Sequence, residues 1–234
     1  MAVKSTPFGL SGNQLKILAM LLMTIDHIGV HLLPQYRILR VVGRLSMPIF
    51  AWMIAEGCYH THSRFRYLLR LVLIAAVCQA VLLIFQDSLY MCILVTFSMS
   101  VILIWTVDLA SRKQNFLTLV LMGLAFAGAA YVCIFLPGDL PGTDFSVDYG
   151  FLGVLLPVLI YLGRNKPEKL MLAAAGLTAL ALTSGRVQWY ALLSLPLLAL
   201  YNGKRGKHPM KYWFYLYYPL HLVAIFAISV FLDK

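Results

Sequence analysis

The sequence predicts an all-α fold: a polytopic transmembrane helix bundle of about nine spans. It is read as a single integral-membrane domain over residues 1–234, with its N-terminus cytoplasmic. Three observations point there. Hydrophobic residues make up 61% of the chain and charged residues 12%, against about 45–50% and about 25% in a soluble domain. The apolar residues gather into nine stretches. The basic residues gather in every second connection between them. Aromatics at 13% exclude a disordered chain. At about 20 apolar residues per crossing, 234 residues allow roughly eight or nine spans and leave no soluble domain on either side.

The stretches run at about 14–34, 38–59, 65–86, 91–109 and 116–136, then 150–163, 169–183, 187–201 and 212–232. The first five and the last are long enough to cross a bilayer. The sixth, seventh and eighth are shorter, which leaves them tilted, kinked or re-entrant. Pro157 and Pro196 lie inside two of them, where neighbouring protein must satisfy the freed carbonyls. No repeat of 20–50 residues is visible. The segment Met1–Asn13 has one lysine and no apolar run, so no cleavable signal peptide is expected and the first span itself directs insertion.

Orientation follows from the connections. One set holds Arg64, Arg66 and Arg70, then Arg112 and Lys113, then Arg164, Lys166 and Lys169, then Lys204, Arg205, Lys207 and Lys211. The alternate set holds only Arg37, Arg40 and Arg186. The first set is therefore cytoplasmic, which places the protein in the cytoplasmic (inner) membrane as a multi-pass chain with its C-terminus outside. The connection 137–149 is outside, and its only charges are Asp139, Asp144 and Asp148. The formal net charge of +10 is thus a topological signal, and no nucleic-acid partner is expected. Cys58, Cys78, Cys92 and Cys133 lie in or beside apolar runs without CxxC spacing, and read as buried small hydrophobes.

Ionisable groups inside a membrane are costly and mark candidate functional sites. Here they concentrate in three spans: Lys16, Asp26, His27 and His31 in the first, Arg44 and Glu56 in the second, His221 in the last. Lys16, Met20, Met23, His27 and His31 recur every three or four residues, so they share one helix face. Lys16 and His27 are about 16 Å apart along the axis at 1.5 Å per residue. Asp26 points about 100° away from that face. It is expected to pair with Arg44 at its depth, as Lys16 is with Glu56 near the inner surface. His27 and His31 at i, i+4 lack a convincing third ligand, so no metal is expected. His27 stands out. An imidazole has its pKa near neutrality and can take a proton from a nucleophile, and the preceding Asp26 is expected to hold its tautomer.

Several segments carry a resemblance: LKILAMLLMTIDHIGVHLLP, VVGRLSMPIFAWMIAEGCYHT and RYLLRL early in the chain, then TFSMSVILIW, DYGFLGVLLPVLIY and the FYLYYPLHL that opens the last span. Over essentially the whole chain the sequence resembles the TraX-like family, membrane proteins named for a pilin N-acetylating protein. More distantly it is similar to the acyltransferase-3 superfamily, which carries an arginine, ten residues and a histidine on its first span. Lys16 and His27 stand at those positions, with lysine keeping the charge but losing the bidentate fork.

The resemblance implies an enzyme, an acetyl-CoA-dependent acyltransferase that moves an acetyl group from cytoplasmic acetyl-CoA to an amine or hydroxyl. The acceptor is a peptide, such as a pilin N-terminus, or a small molecule reaching the site from the outer side. On this reading His27 is the general base or a transient acyl carrier, oriented by Asp26. Arg44 stabilises the negative charge of the intermediate or locks Asp26. Lys16, Arg64, Arg66 and Arg70 hold the phosphates at the inner surface, with Glu56 beside Lys16. His221 lines the same tunnel. Two other classes remain open on the residues alone: a proton-coupled transporter or channel using the intramembrane Asp, His and Glu groups, and a non-catalytic assembly protein.

Overall fold

A computed structural model describes residues 3, 8–206 and 211–232, the side chains of 211, 212 and 215 excepted. Lys207, the side chain of Lys211 and most of the first seven residues, all read above, lie outside the described residues. Those described form a helical bundle whose rods follow the nine apolar stretches.

The first stretch is α1 (Gly12–His31), started by a capping box in which Ser11 and Gln14 satisfy each other's backbone N–H groups. The second stretch is broken in two, α2 (Arg37–Gly43) and α3 (Ser46–His60). Pro48 explains the break, because its ring excludes the carbonyl of Arg44 four residues earlier and it has no N–H to offer. α4 (Arg64–Gln86) and α5 (Ile93–Lys113) follow as long rods, each ended by a left-handed residue, Asp87 and Gln114. α6 (Phe116–Ala130) passes through a π-turn at Tyr131–Phe135 into α7 (Leu136–Asp139). Pro137 would clash with the carbonyl of Cys133, and the wider turn relieves this.

The three short stretches become α8 (Gly150–Leu162), α9 (Lys166–Ser184), and a 3₁₀ segment Arg186–Leu193 leading into α10 (Ser194–Ala199). α11 (Lys211–Leu232) closes the chain. Arg37–His60, Arg64–Gln86, Ile93–Lys113 and Phe116–Asp139 are long and apolar enough to cross a membrane, and Gly150–Leu162 and Leu216–Leu232 are shorter apolar helices.

α3 is the centre of the bundle, with Met47, Ile49, Ala51, Trp52 and Ala55 almost wholly enclosed. It packs against α1, α5 and α8, while α11 lies against α1 and α4. Polar glue joins α5 to α8 and the loop before it: the Ser100 hydroxyl donates to the Val154 carbonyl at 2.8 Å, and Thr96 to that of Asp148 at 2.8 Å. α6 stands at the edge, with Phe116, Leu117 and Leu124 exposed. So much exposed apolar surface suits hydrocarbon better than water. The cysteines are free, and Cys58, Cys78 and Cys92 are buried.

α1 and α2 meet closely through glycines. A Cβ on Gly43 would lie 2.3 Å from Asp26 Oδ1, and one on Gly29 2.7 Å from Leu39 Cβ. Gly43→Ala is therefore expected to destabilise the detergent-solubilised protein by about 1–3 kcal/mol, as overpacking does. Gly123→Ala, on an open face of α6 with nothing within 4 Å, is expected to leave the thermal unfolding midpoint unchanged or slightly raised.

Candidate functional site

Two large cavities lie at opposite ends of the α1 face read above, and a smaller one lies between them. The first has a volume of about 540 Å³ and is lined by Lys16, Arg66, Arg70 and Arg205, with His60 and His62 at its edge. Arg70 Nε is buried there with no hydrogen-bond partner among the described residues. A concentration of guanidinium and ammonium groups fits an anion. Lys16 rides 5.3 Å from the centre of the Phe214 ring on α11.

The middle cavity, about 140 Å³, is apolar and lined by Met20, Met23, Phe50, Met53 and Tyr217 among others. It shares Asn13, Lys16, Met53, Tyr67 and Arg205 with the basic cavity. It shares Met23, Phe50, Ile93 and Tyr218 with the third cavity. The three therefore form one series through the bundle, along the Lys16–Met20–Met23–His27 face of α1.

The third cavity, about 580 Å³, is where the buried titratable groups meet. His27 on α1 places Nδ1 2.7 Å from Nε2 of His221 on α11. His221, expected to line the tunnel, lines none of the three cavities: it is buried behind His27, with Nδ1 3.1 Å from the Tyr217 carbonyl. His31, one turn on, meets Gln86 at 3.2 Å and the edge of Phe226. Asp26 turns away from His27, as its helix position requires. Arg40 donates to its Oδ2 at 2.5 Å, and Arg44 lies 3.7 Å from the same atom. The expected role of Asp26 in holding the His27 tautomer is therefore corrected: the group on His27 Nδ1 is another imidazole.

Arg44 reaches further across, donating to the Tyr149 hydroxyl at 3.2 Å and the Gln188 side-chain oxygen at 3.4 Å. The loop between α7 and α8 closes this end. Asp144 accepts from Ser88 Oγ at 2.5 Å and from the Leu89 N–H at 2.8 Å, and these bonds hold its carboxyl below the usual carboxylate range. Asp148 accepts from the Tyr90 hydroxyl at 2.5 Å, and burial pushes its carboxyl up to about 6.

Two further expectations change. Glu56 does not pair with Lys16. Its Oε1 accepts from Lys169 on α9 at 2.5 Å, and its Oε2 from the Val3 N–H at 3.2 Å. Lys16 reaches the Phe214 ring instead. A carboxylate turned to its own lysine is a strut rather than a phosphate ligand, although Glu56 does border the basic cavity. Arg64 is also occupied elsewhere: it pairs with Asp108 on α5, which further accepts from the Tyr161 hydroxyl at 2.8 Å. Of the proposed phosphate ligands, Lys16, Arg66 and Arg70 line the basic cavity, and Arg205 joins them.

The residues that sequence reasoning passed over are Arg40, Lys169, Arg205, Tyr90, Asp148, Tyr149 and Gln188. Arg40 had a signal, four residues before Arg44 and so on the same face. Lys169 begins the seventh apolar stretch itself. Asp148 and Tyr149 open the DYGFLG segment.

A family model described as TraX protein matches residues 11–229. A protein of Dichelobacter nodosus described as "Probable fimbrial assembly protein FimC, serogroup H1" is 27% identical over 255 residues, covering 95% of this chain and 97% of its own length. An uncharacterized protein of Rickettsia prowazekii is 47% identical over 45 residues, 19% of this chain and 18% of its own. No solved structure matches.

Proposed function

Because the chain belongs to the TraX family, we propose that this membrane protein transfers an acetyl group from acetyl-CoA to an amine or hydroxyl within the bundle. The observation that carries this reading is the cavity series: a basic mouth, an apolar neck, and a polar chamber containing His27. Acetyl-CoA has that order of parts. Its phosphates match Lys16, Arg66, Arg70 and Arg205. Its pantetheine arm suits the methionine-lined neck, whose flexible side chains adapt to an irregular chain. The roughly 16 Å from Lys16 to His27 brings the thioester to the histidine. The excess of Lys and Arg in those connections supports a cytoplasmic side for the basic mouth.

In the chamber the acceptor nitrogen or oxygen attacks the thioester carbonyl carbon. His27 removes the acceptor's proton as the bond forms. The carbonyl electrons move to oxygen, giving a tetrahedral oxyanion that the cationic Arg44 stabilises. The C–S bond then breaks, and protonated His27 returns the proton to the departing thiolate. The products are the acetylated acceptor and free CoA. Asp26, tied to Arg40 and Arg44, holds Arg44 at the chamber wall. The relative named for fimbrial assembly favours the N-terminus of a surface-fibre subunit as the acceptor, entering past the loop that carries Asp144 and Asp148.

Membranes containing the protein, given radiolabelled acetyl-CoA, are expected to label an added acceptor peptide. An unlabelled acceptor with intact CoA thioester contradicts this and favours a carrier, which would also use a series of cavities. Arg66→Ala is expected to raise KM for acetyl-CoA roughly tenfold with kcat little changed, as loss of one charged hydrogen bond does.

A further inference from the structure

We propose that His221 is a positioning residue that dictates which nitrogen of His27 acts, an inference that rests on the reading of His27 as proton acceptor. The Tyr217 carbonyl oxygen can only accept a hydrogen bond, and His221 Nδ1 lies 3.1 Å from it. His221 therefore carries its hydrogen on Nδ1, and in the neutral ring Nε2 is an acceptor. That acceptor lies 2.7 Å from His27 Nδ1, so His27 Nδ1 is the N–H. The lone pair of His27 is then on Nε2, which has no hydrogen-bond partner among the described residues, on a ring that lines the chamber.

The ring geometry agrees. The two imidazole planes differ by 4° and their centroids are 5.0 Å apart. That separation is the N···N distance plus one ring radius at each end. The nitrogens therefore lie on the line between the centroids and the rings share a plane. The N–H points straight along its partner's lone pair, the direction a hydrogen bond prefers.

The support for His221 is itself fixed. Thr24 donates to the Met20 carbonyl at 3.0 Å, so the Tyr217 hydroxyl donates to Thr24, 2.6 Å away. The Tyr217 ring lies 13° from the plane of His221, and Tyr218 meets His221 edge-on. One turn of α11 is thus registered against one turn of α1. No carboxylate competes for His27 Nδ1, since Asp26 faces Arg40 and Arg44, and Asp148 faces Tyr90. A backbone carbonyl and a neutral imidazole do here what a carboxylate does beside many catalytic histidines. They set the tautomer without placing another charge in the bundle.

The test is histidine-labelled protein in lipid nanodiscs, with the His27 resonances identified by their loss in His27→Ala. Nitrogen chemical shifts are expected to show hydrogen on Nδ1 and a bare Nε2. That preference is expected to vanish in His221→Leu and persist in His221→Gln, whose amide oxygen accepts from Nδ1–H. In acetyl transfer, His221→Leu is expected to lower kcat roughly 10–100-fold, with KM for acetyl-CoA nearly unchanged, and His221→Gln to recover most of it. Hydrogen on Nε2 of His27 in the unmodified protein overturns the inference, as does equal loss of kcat in both variants or loss in neither. If the unmodified protein transfers no acetyl group, the proposed function falls, and the chemical shifts still decide the tautomer.

Discussion

Replacing His27 with alanine is expected to lower acetyl transfer about 10²–10⁴-fold, the usual contribution of a positioned general base. Expression, membrane insertion and acetyl-CoA binding are expected to persist. Binding is expected to survive because the proposed phosphate contacts, Lys16, Arg66, Arg70 and Arg205, line the far end of the cavity series, roughly three helical turns away. Folding is expected to survive because His27 borders a cavity of about 580 Å³ rather than filling a close-packed site, and its one hydrogen bond among the described residues goes to another neutral-capable ring. The loss should therefore appear in kcat and not in KM. Transfer retained at the normal rate in His27→Ala removes this histidine from the mechanism.

The second large effect concerns stability. Lys169→Met is expected to destabilise the protein by about 3–5 kcal/mol, the cost of leaving one member of a buried ion pair uncompensated. The Lys169 side chain is 0% exposed and that of Glu56 4%, with 2.5 Å between Nζ and Oε1. The ammonium also lies 4.4 Å from the centre of the Tyr59 ring. Without it, the Glu56 carboxylate keeps, among the described residues, only the Val3 N–H at 3.2 Å and 3.4 Å, and His60 at 3.7 Å. The double variant Glu56→Gln with Lys169→Met is expected to recover much of the loss, since no charge is then stranded. Thermal unfolding in detergent measures both. A single variant as stable as the unmodified protein contradicts the pairing.

The helices were legible in the sequence because lipid leaves so strong a mark on composition. Each apolar stretch is helical, the second and eighth in two pieces. Of the stretches read as short, 187–201 turns irregular, with a 3₁₀ segment before Pro196, whereas 150–163 is an α-helix with Pro157 inside it and 169–183 lies within the regular α9. The break between Gly43 and Ser46 was missed although Pro48 announced it, because hydropathy registers apolarity and not backbone hydrogen bonding.

The site was half legible. Spacing alone put Lys16, Met20, Met23 and His27 on one face, and that face borders all three cavities. Spacing also placed Asp26 opposite Arg44. It could not foresee that Arg40 comes closer, because a basic residue near a span end reads as a topological mark. Lys169 was hidden the same way: its burial is decided by Glu56 on α3, 113 positions away. The contact between His27 and His221 spans 194 positions and depends on how α11 packs against α1, which no local pattern encodes.

The central claim is that an acyl-CoA enters at the basic mouth and presents its thioester to His27. A CoA thioester with a photoreactive acyl group, irradiated with the reconstituted protein and mapped by mass spectrometry, tests it most directly. Adducts are expected on α1 between Met23 and His27 and on α11 between Tyr217 and His221, and excess acetyl-CoA should suppress them. Adducts confined to the Arg66, Arg70 and Arg205 end, or unaffected by acetyl-CoA, would contradict it.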